Sequence, residues 1–179
     1  MPDINLENKS LVFLAAIGFF LNAALGLRGY TLPQMSYQQL LCFQMADASA
    51  IMAAVVAARY VGIRSEHVAA SGFILLGITH GISLSSAGVD SFNEERGILM
   101  IMPMIPTFIL LHWCTLFPKW LRLAGLFPAA SFLYLYVHVI SGGAYYDTPL
   151  VLGYITWLFI ELCWAYYLIK DWKAQTGKS

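Results

Sequence analysis

Five ionisable side chains interrupt long apolar stretches of this sequence: Asp47, His80, His112, His138 and Glu161. A charged group in a hydrocarbon layer costs about 3 kcal/mol or more, so each such residue is by default turned inward and is a candidate for proton exchange or ligand contact. Carboxylates and imidazoles are also the groups that acid–base chemistry uses: Glu161 can serve as general acid while Asp47 or His80 serves as base. Asp47, Glu161 and His80 are therefore the candidate catalytic, proton-active groups.

Depth and spacing enlarge the set. Counted at 1.5 Å per residue from the outer ends of their apolar stretches, Asp47 lies ~12 Å deep, His80 ~10 Å, His138 ~5 Å and Glu161 ~18 Å. His112 falls at the opposite end beside Trp113 and reads as an interfacial residue. Helical periodicity puts Ser131, Tyr134, His138 and Ser141 on one face, and Tyr154, Trp157, Glu161 and Trp164 on another. Thr79, Ser83 and Ser86 form a polar row beside His80. The expected site is a cavity open to the outside, with His138, Tyr134, Trp157, Trp164, Tyr154 and Ser83 as candidate ligand-binding residues. Any one of these polar groups alone is as well explained by a hydrogen bond to a neighbouring helix; the convergence of four at comparable depth is what argues for a site.

Several chemistries fit these residues, and none is marked by a motif. An acid–base enzyme acting on a lipid or isoprenoid would use the carboxylates and imidazoles, with the Trp157 and Trp164 indoles stabilising a cation. A b-type haem needs two opposed axial ligands, for which His80 and His138 are the candidates. A metal would require three or four of Asp47, His80, His138 and Glu161 to converge, but the sequence has no HxxxH or HExxH pattern and no metal ligand is assigned. Retinal is excluded, because no lysine lies within an apolar stretch to form its Schiff base. The cofactor is left open. Binding or transport of a small or amphiphilic ligand needs only a cavity, coupling groups and a deformable backbone, and is the simplest function these residues support. In size and helix number the chain is similar to the substrate-binding S components of energy-coupling-factor vitamin transporters. That resemblance implies an outer-half ligand pocket and extends to architecture alone, since the Ala-xxx-Ala docking motif of their first helix has no counterpart in residues 11–27.

The elements that must position these groups follow from composition. Of 179 residues, 59% are hydrophobic and 11% charged, with mean hydropathy +0.68 and ten basic side chains balanced by ten acidic ones. That is far from the roughly 25% charged residues of a soluble domain, and it excludes a disordered chain or a nucleic-acid partner. About 20 apolar residues cross a bilayer core. Six such windows occur, at 10–27, 39–60, 67–87, 97–117, 120–141 and 149–169, predicting an all-α, polytopic helical bundle organised as a single integral-membrane domain. Alternating sides place Lys9, Arg59, Arg64, Lys119, Arg122, Lys170, Lys173 and Lys178 on one face and only Arg28 and Arg96 on the other. The positive-inside rule then puts both termini in the cytoplasm, and a bacterial inner membrane is the expected location. Outer loops carry Asp90, Glu94, Glu95 and Asp147. The acidic Asp3 and Glu7 in residues 1–10 read against a secretory leader. Trp113, Trp120, Trp164, Trp172 and Tyr145–Tyr146 fall near span ends, as an interfacial belt would.

Small residues supply helix contacts. Ala46, Ala50, Ala54 and Ala58 recur at steps of four, as do Gly77, Gly81 and Ser85, expected to join spans two and three or a second subunit. Pro103, Pro106 and Pro128 are expected to kink spans four and five. Cys42, Cys114 and Cys163 lie inside spans without paired spacing and read as buried apolar groups. Because spans two and three are antiparallel neighbours, Asp47 is expected to meet His80.

Overall fold

The computed structural model describes residues 4–34, 36–86, 94–143 and 148–176. Every element among them is a helix: α1 (Ile4–Tyr30), α2 (Tyr37–Ile63), α3 (His67–Ser86), α4 (Glu94–Leu111), α5 (Lys119–Ala124), α6 (Leu126–Ile140) and α7 (Thr148–Thr176). With no water in a bilayer core, only segments that satisfy their own backbone can cross, which these long apolar helices do. Five segments are long and apolar enough to span: Asn8–Tyr30, Tyr37–Ile63, His67–Ser85, Lys119–Ile140 and Leu150–Thr176. The chain is a multi-pass membrane protein.

The boundaries depart from expectation at two places. Span four is shorter than 97–117: its apolar part is Ile98–Leu111, and α4 ends there. Residues 112–118 instead form tight turns, with Trp113 N–H donating to Leu110 O and Cys114 N–H to Leu111 O. Pro118 closes this connection, since a residue before proline is pushed out of the helical region. Cys114 therefore lies in a connection and not in a span. Span five is divided at Gly125 into α5 and α6. Pro128 has no N–H for the Ala124 carbonyl and its ring crowds that carbonyl, so the first helix stops at Ala124. Glu94, Glu95 and Arg96 open α4 in place of a loop. Expectations for Asp90, Tyr145, Tyr146 and Asp147 fall outside the described residues.

Capping chemistry sets the turns. Ser36 accepts the Gln39 N–H at 3.2 Å as the N-cap of α2, while the Gln39 side chain donates to Gly29 O at 3.1 Å and ties the ends of α1 and α2 together. Helix α6 closes with Gly143 N–H on His138 O and Gly142 N–H on Val139 O. This paired pattern requires a left-handed residue, supplied by Gly142 at φ 89°.

The helices pack in a closed ring, α1–α2–α3–α4–α6–α7 and back to α1. Close approach relies on the small residues. Ala46, Ala50, Ala54 and Ala58 are all buried. A Cβ at Gly18 would come within 2.6 Å of the Ser49 carbonyl oxygen, whereas one at Gly77 would make only ordinary contact with the Ala54 Cβ at 3.6 Å. The alanine ladder thus packs inside the chain, between α1, α2 and α3.

Large side chains fill the middle. Trp164, expected in the interfacial belt, is instead 2% exposed. Its ring lies 5.4 Å from Phe73, 5.9 Å from Phe108, 6.0 Å from Phe19 and 6.2 Å from Phe117. Helix α7 runs well past Ile169, so Trp164 sits in the bundle's interior and not at its rim. Trp113 and Trp120 are exposed, as a belt requires.

Candidate functional site

Helices α1, α2, α3 and α7 each contribute a polar side chain to one buried cluster. Asp47 on α2 accepts from His80 Nδ1 on α3 at 2.8 Å and from the Ser83 hydroxyl at 2.7 Å. Glu161 on α7 accepts from Trp157 Nε1 on its Oε1 at 2.8 Å and from the Asn22 side-chain amide of α1 on its Oε2. Between the two carboxylates stands His80, whose Nε2 faces Glu161 Oε1 at 3.6 Å. That nitrogen is buried and has no hydrogen-bond partner among the described residues. Glu161 is 0% exposed and His80 2%.

The local sequence explains the arrangement. His80 and Ser83 are three residues apart on α3, so one helix edge presents both to Asp47. Trp157 precedes Glu161 by one turn of α7, which aims the indole N–H at the carboxylate while its ring packs 5.0 Å from His80. Asp47 thus holds two donors with the imidazole counted, and Glu161 holds two besides the longer imidazole contact.

The other proposed ligand contacts divide into two groups. Tyr154 extends the cluster: its ring lies 5.5 Å from Trp157 and 5.2 Å from Tyr30, which in turn lies 5.6 Å from Phe43. Its hydroxyl occupies the space that a Cβ at Gly26 would need. Trp164 is one turn beyond Glu161, in the aromatic hub. His138 and Tyr134 are not brought to this place. They stack on each other on α6 with centroids 6.1 Å apart, and Tyr134 is 60% exposed. On the face of α6 that carries them Tyr134 and Ser141 are exposed and Ser131 and His138 half-buried, while Phe132 and Leu135 turn inward. His112 donates from Nδ1 to Arg122 O, 3.0 Å away, in the connection after α4.

Asn22 was not among the expected residues. The available signal is that it is the one amide in residues 11–27, otherwise apolar. A second network also escaped sequence reasoning: at the basic end, Asp171 accepts from Tyr60 at 2.7 Å, Gln175 at 2.6 Å and Arg64 at 3.2 Å, fastening the end of α2 to α7.

The arrangement does not suit haem. Both nitrogens of His80 are directed at carboxylates, and His138 stacks on Tyr134 on another helix, so among the described residues no pair of opposed imidazoles is formed. Among the described residues no three His, Cys, Asp or Glu side chains are grouped to hold a metal ion. Two hollows, a groove between α2 and α3 and a small void beside His112, both lie away from the cluster, whose centre is occupied by its own side chains. Comparison with family models, curated proteins and solved structures finds no match to this chain. The architectural similarity to transporter S components accordingly carries no family assignment.

What the geometry can do chemically is hold and pass protons.

Proposed function

We propose that this multi-pass membrane protein binds or transports a small or amphiphilic ligand at an outward-facing intramembrane site whose proton-active groups are Asp47, His80 and Glu161. The observation that carries this reading is His80 held between two carboxylates from different helices, 2.8 Å from one and 3.6 Å from the other. A fixed structural pair would not need the second acid. Tyr154 and Tyr30, with Phe43 behind them, lie along the line from Trp157 to the α1–α2 turn. A ligand entering from that end displaces these rings and reaches Trp157 and Glu161. The charge distribution of the connections orients that end outward and the termini inward.

A membrane-embedded acid–base enzyme is the second reading, favoured by the unbonded His80 Nε2 beside Glu161, a geometry across which a proton can be handed to or from a substrate. One experiment separates the two. Glu161→Gln and Asp47→Asn keep side-chain shape while removing the charge. The purified variants are compared with wild type for co-purifying small molecules, and the host membranes for lipid composition, by mass spectrometry. Loss of a co-purifying ligand with membrane lipids unchanged supports binding or transport; retained ligand with a missing lipid product supports catalysis. If neither quantity changes in folded variants, both readings fail and the carboxylates are structural.

A further inference from the structure

The polar cluster does not end at its carboxylates: a file of aromatic rings joins it to the turn between α1 and α2. Tyr30 is 54% exposed, Phe43 and Tyr154 are half-buried and Trp157 is 2% exposed, so the file runs from the surface inward to Glu161. Two glycines make room for it. A Cβ at Gly26 would lie 2.7 Å from the Tyr154 hydroxyl, and one at Gly29 would lie 2.5 Å from Phe43 Cε1. Standing three residues apart, they leave one edge of α1 bare, and the rings lie against its backbone.

The inner end of the file has acceptors to spare. Each oxygen of Asp47 and Glu161 takes one donor, from His80, Ser83, Trp157 and Asn22, whereas each oxygen of an ionised carboxylate has room for about two. His80 adds to the surplus. A neutral imidazole that donates from Nδ1 to Asp47 presents a lone pair at Nε2, and this nitrogen, buried and unpartnered among the described residues, faces Glu161 Oε1 at 3.6 Å. Two acceptors thus confront each other across a gap wider than a hydrogen bond. Among the described residues neither acid is paired with a lysine or arginine. The gap calls for a donor.

We propose, building on the ligand-binding reading above, that the ligand is an organic ammonium ion. Its N–H groups bridge His80 Nε2 and Glu161 Oε1, and its apolar part lies along Trp157, Tyr154 and Tyr30. An ammonium group has donors and no acceptor, and its charge is drawn to the faces of tryptophan and tyrosine rings. It therefore suits both the end and the walls of the file. An alcohol brings one donor and no charge, and a carboxylate would meet two acids. Arg28, exposed near the mouth with its Nη1 on the Thr31 hydroxyl at 3.0 Å, makes an anion the rival to be measured.

The test titrates the full chain, purified in detergent at neutral pH, with phenethylammonium, phenethyl alcohol and phenylacetate, three probes that share a ring and differ in the polar end, and reads binding by calorimetry. Phenethylammonium is expected to bind about tenfold tighter than either of the others, the worth of one charge-assisted hydrogen bond. Glu161→Gln removes that preference. Tyr154→Leu, which leaves the hydrogen bonds of Asp47 and Glu161 in place, weakens phenethylammonium about fivefold by taking away one aromatic face. Should Glu161→Gln not fold, the wild-type preference and Tyr154→Leu decide. The ammonium class is overturned, and a ligand site kept, if the alcohol or phenylacetate binds as tightly as phenethylammonium and is weakened by Tyr154→Leu. It is also overturned if the preference survives Glu161→Gln or Tyr154→Leu leaves phenethylammonium binding unchanged, which puts binding elsewhere. If none of the three binds, the ammonium class falls, and the co-purification experiment decides separately whether any ligand is held.

Discussion

At the residue scale, the energetics of the cluster turn on the difference between a satisfied and an abandoned buried charge. Asp47 with His80 and Ser83, and Glu161 with Trp157 and Asn22, are each supplied with donors. Removing one member strands the rest, at about 3 kcal/mol or more. His80→Leu alone leaves two carboxylates without their imidazole, and Asp47→Ala alone leaves the imidazole with one acid. The double variant is expected to lose less than the two single losses added together, by about 1–3 kcal/mol, measured by thermal unfolding in detergent; strictly additive losses would mean the two side chains are energetically separate. Cys114 gives a different residue-scale expectation. Burial, the largest cause, pushes its thiol up to about 12, with Glu66 adding to the shift. The folded thiol therefore ionises less readily than the unfolded one. Stability is unaffected below pH 9, where both forms are protonated, and declines as pH rises from about 9 toward 12 because the unfolded state sheds its proton first. Iodoacetamide labelling at pH 8 is expected to reach Cys42 well before Cys114, with Cys114 reacting only on unfolding. Equal rates in the folded protein would contradict its burial.

At the scale of the helices, contact is governed by where a side chain has room. Gly18 has none: an added Cβ would press on the Ser49 carbonyl oxygen at 2.6 Å and on Ala53 Cβ at 2.8 Å, so α1 and α2 must separate. Gly81 lies in α3 with nothing within 4 Å of such a Cβ. Gly18→Ala is therefore expected to cost about 1–3 kcal/mol through overpacking. Gly81→Ala is expected to be neutral or to gain up to about 1 kcal/mol from helix propensity. Melting temperatures of the two variants check this, and a Gly81 variant as damaged as the Gly18 one would place an unseen partner on that face. Sequence alone cannot make this distinction. Gly77 and Gly81 look like one GxxxG unit, yet only Gly77 faces α2.

At the scale of the whole molecule, the helix ring brings the α2–α3 and α4–α5 connections to the same end as the terminal parts of α1 and α7, with their basic residues. Helices α1 and α7 run antiparallel, with Phe13 against Trp172 near one end and Tyr30 against Tyr154 near the other. At the first of these ends Arg64 meets Asp171, and Glu66 accepts from the backbone N–H and hydroxyl of Thr115, joining the α2–α3 and α4–α5 connections. The positive-inside rule assigns this end to the cytoplasm. Reporter fusions after Thr31, Asp90 and Asp147 are expected to give an external signal, and fusions after Ser65 and Thr115 a cytoplasmic one. Any reversal would break the orientation and with it the direction in which the proposed site opens.

The helical membrane architecture was legible in the sequence because it depends on local quantities: the length of apolar runs, the positions of prolines and the placement of lysines and arginines. The Asp47–His80 contact was also legible, since a short connection makes α2 and α3 neighbours and no such charge is left alone in lipid. Glu161 was named to the same site as well, but its depth was not legible: counting from span ends placed it ~8 Å deeper than His80, whereas α7 is longer than its apolar window and its register is set by packing. The same cause misplaced Trp164, a rim residue by count and an interior one by contact. His138 and Tyr134 show the complementary limit. Periodicity correctly groups them on one face of α6, but which face turns inward is decided by Phe132 and Leu135 filling the ring's centre, a volume that exists only once all the helices have closed around it.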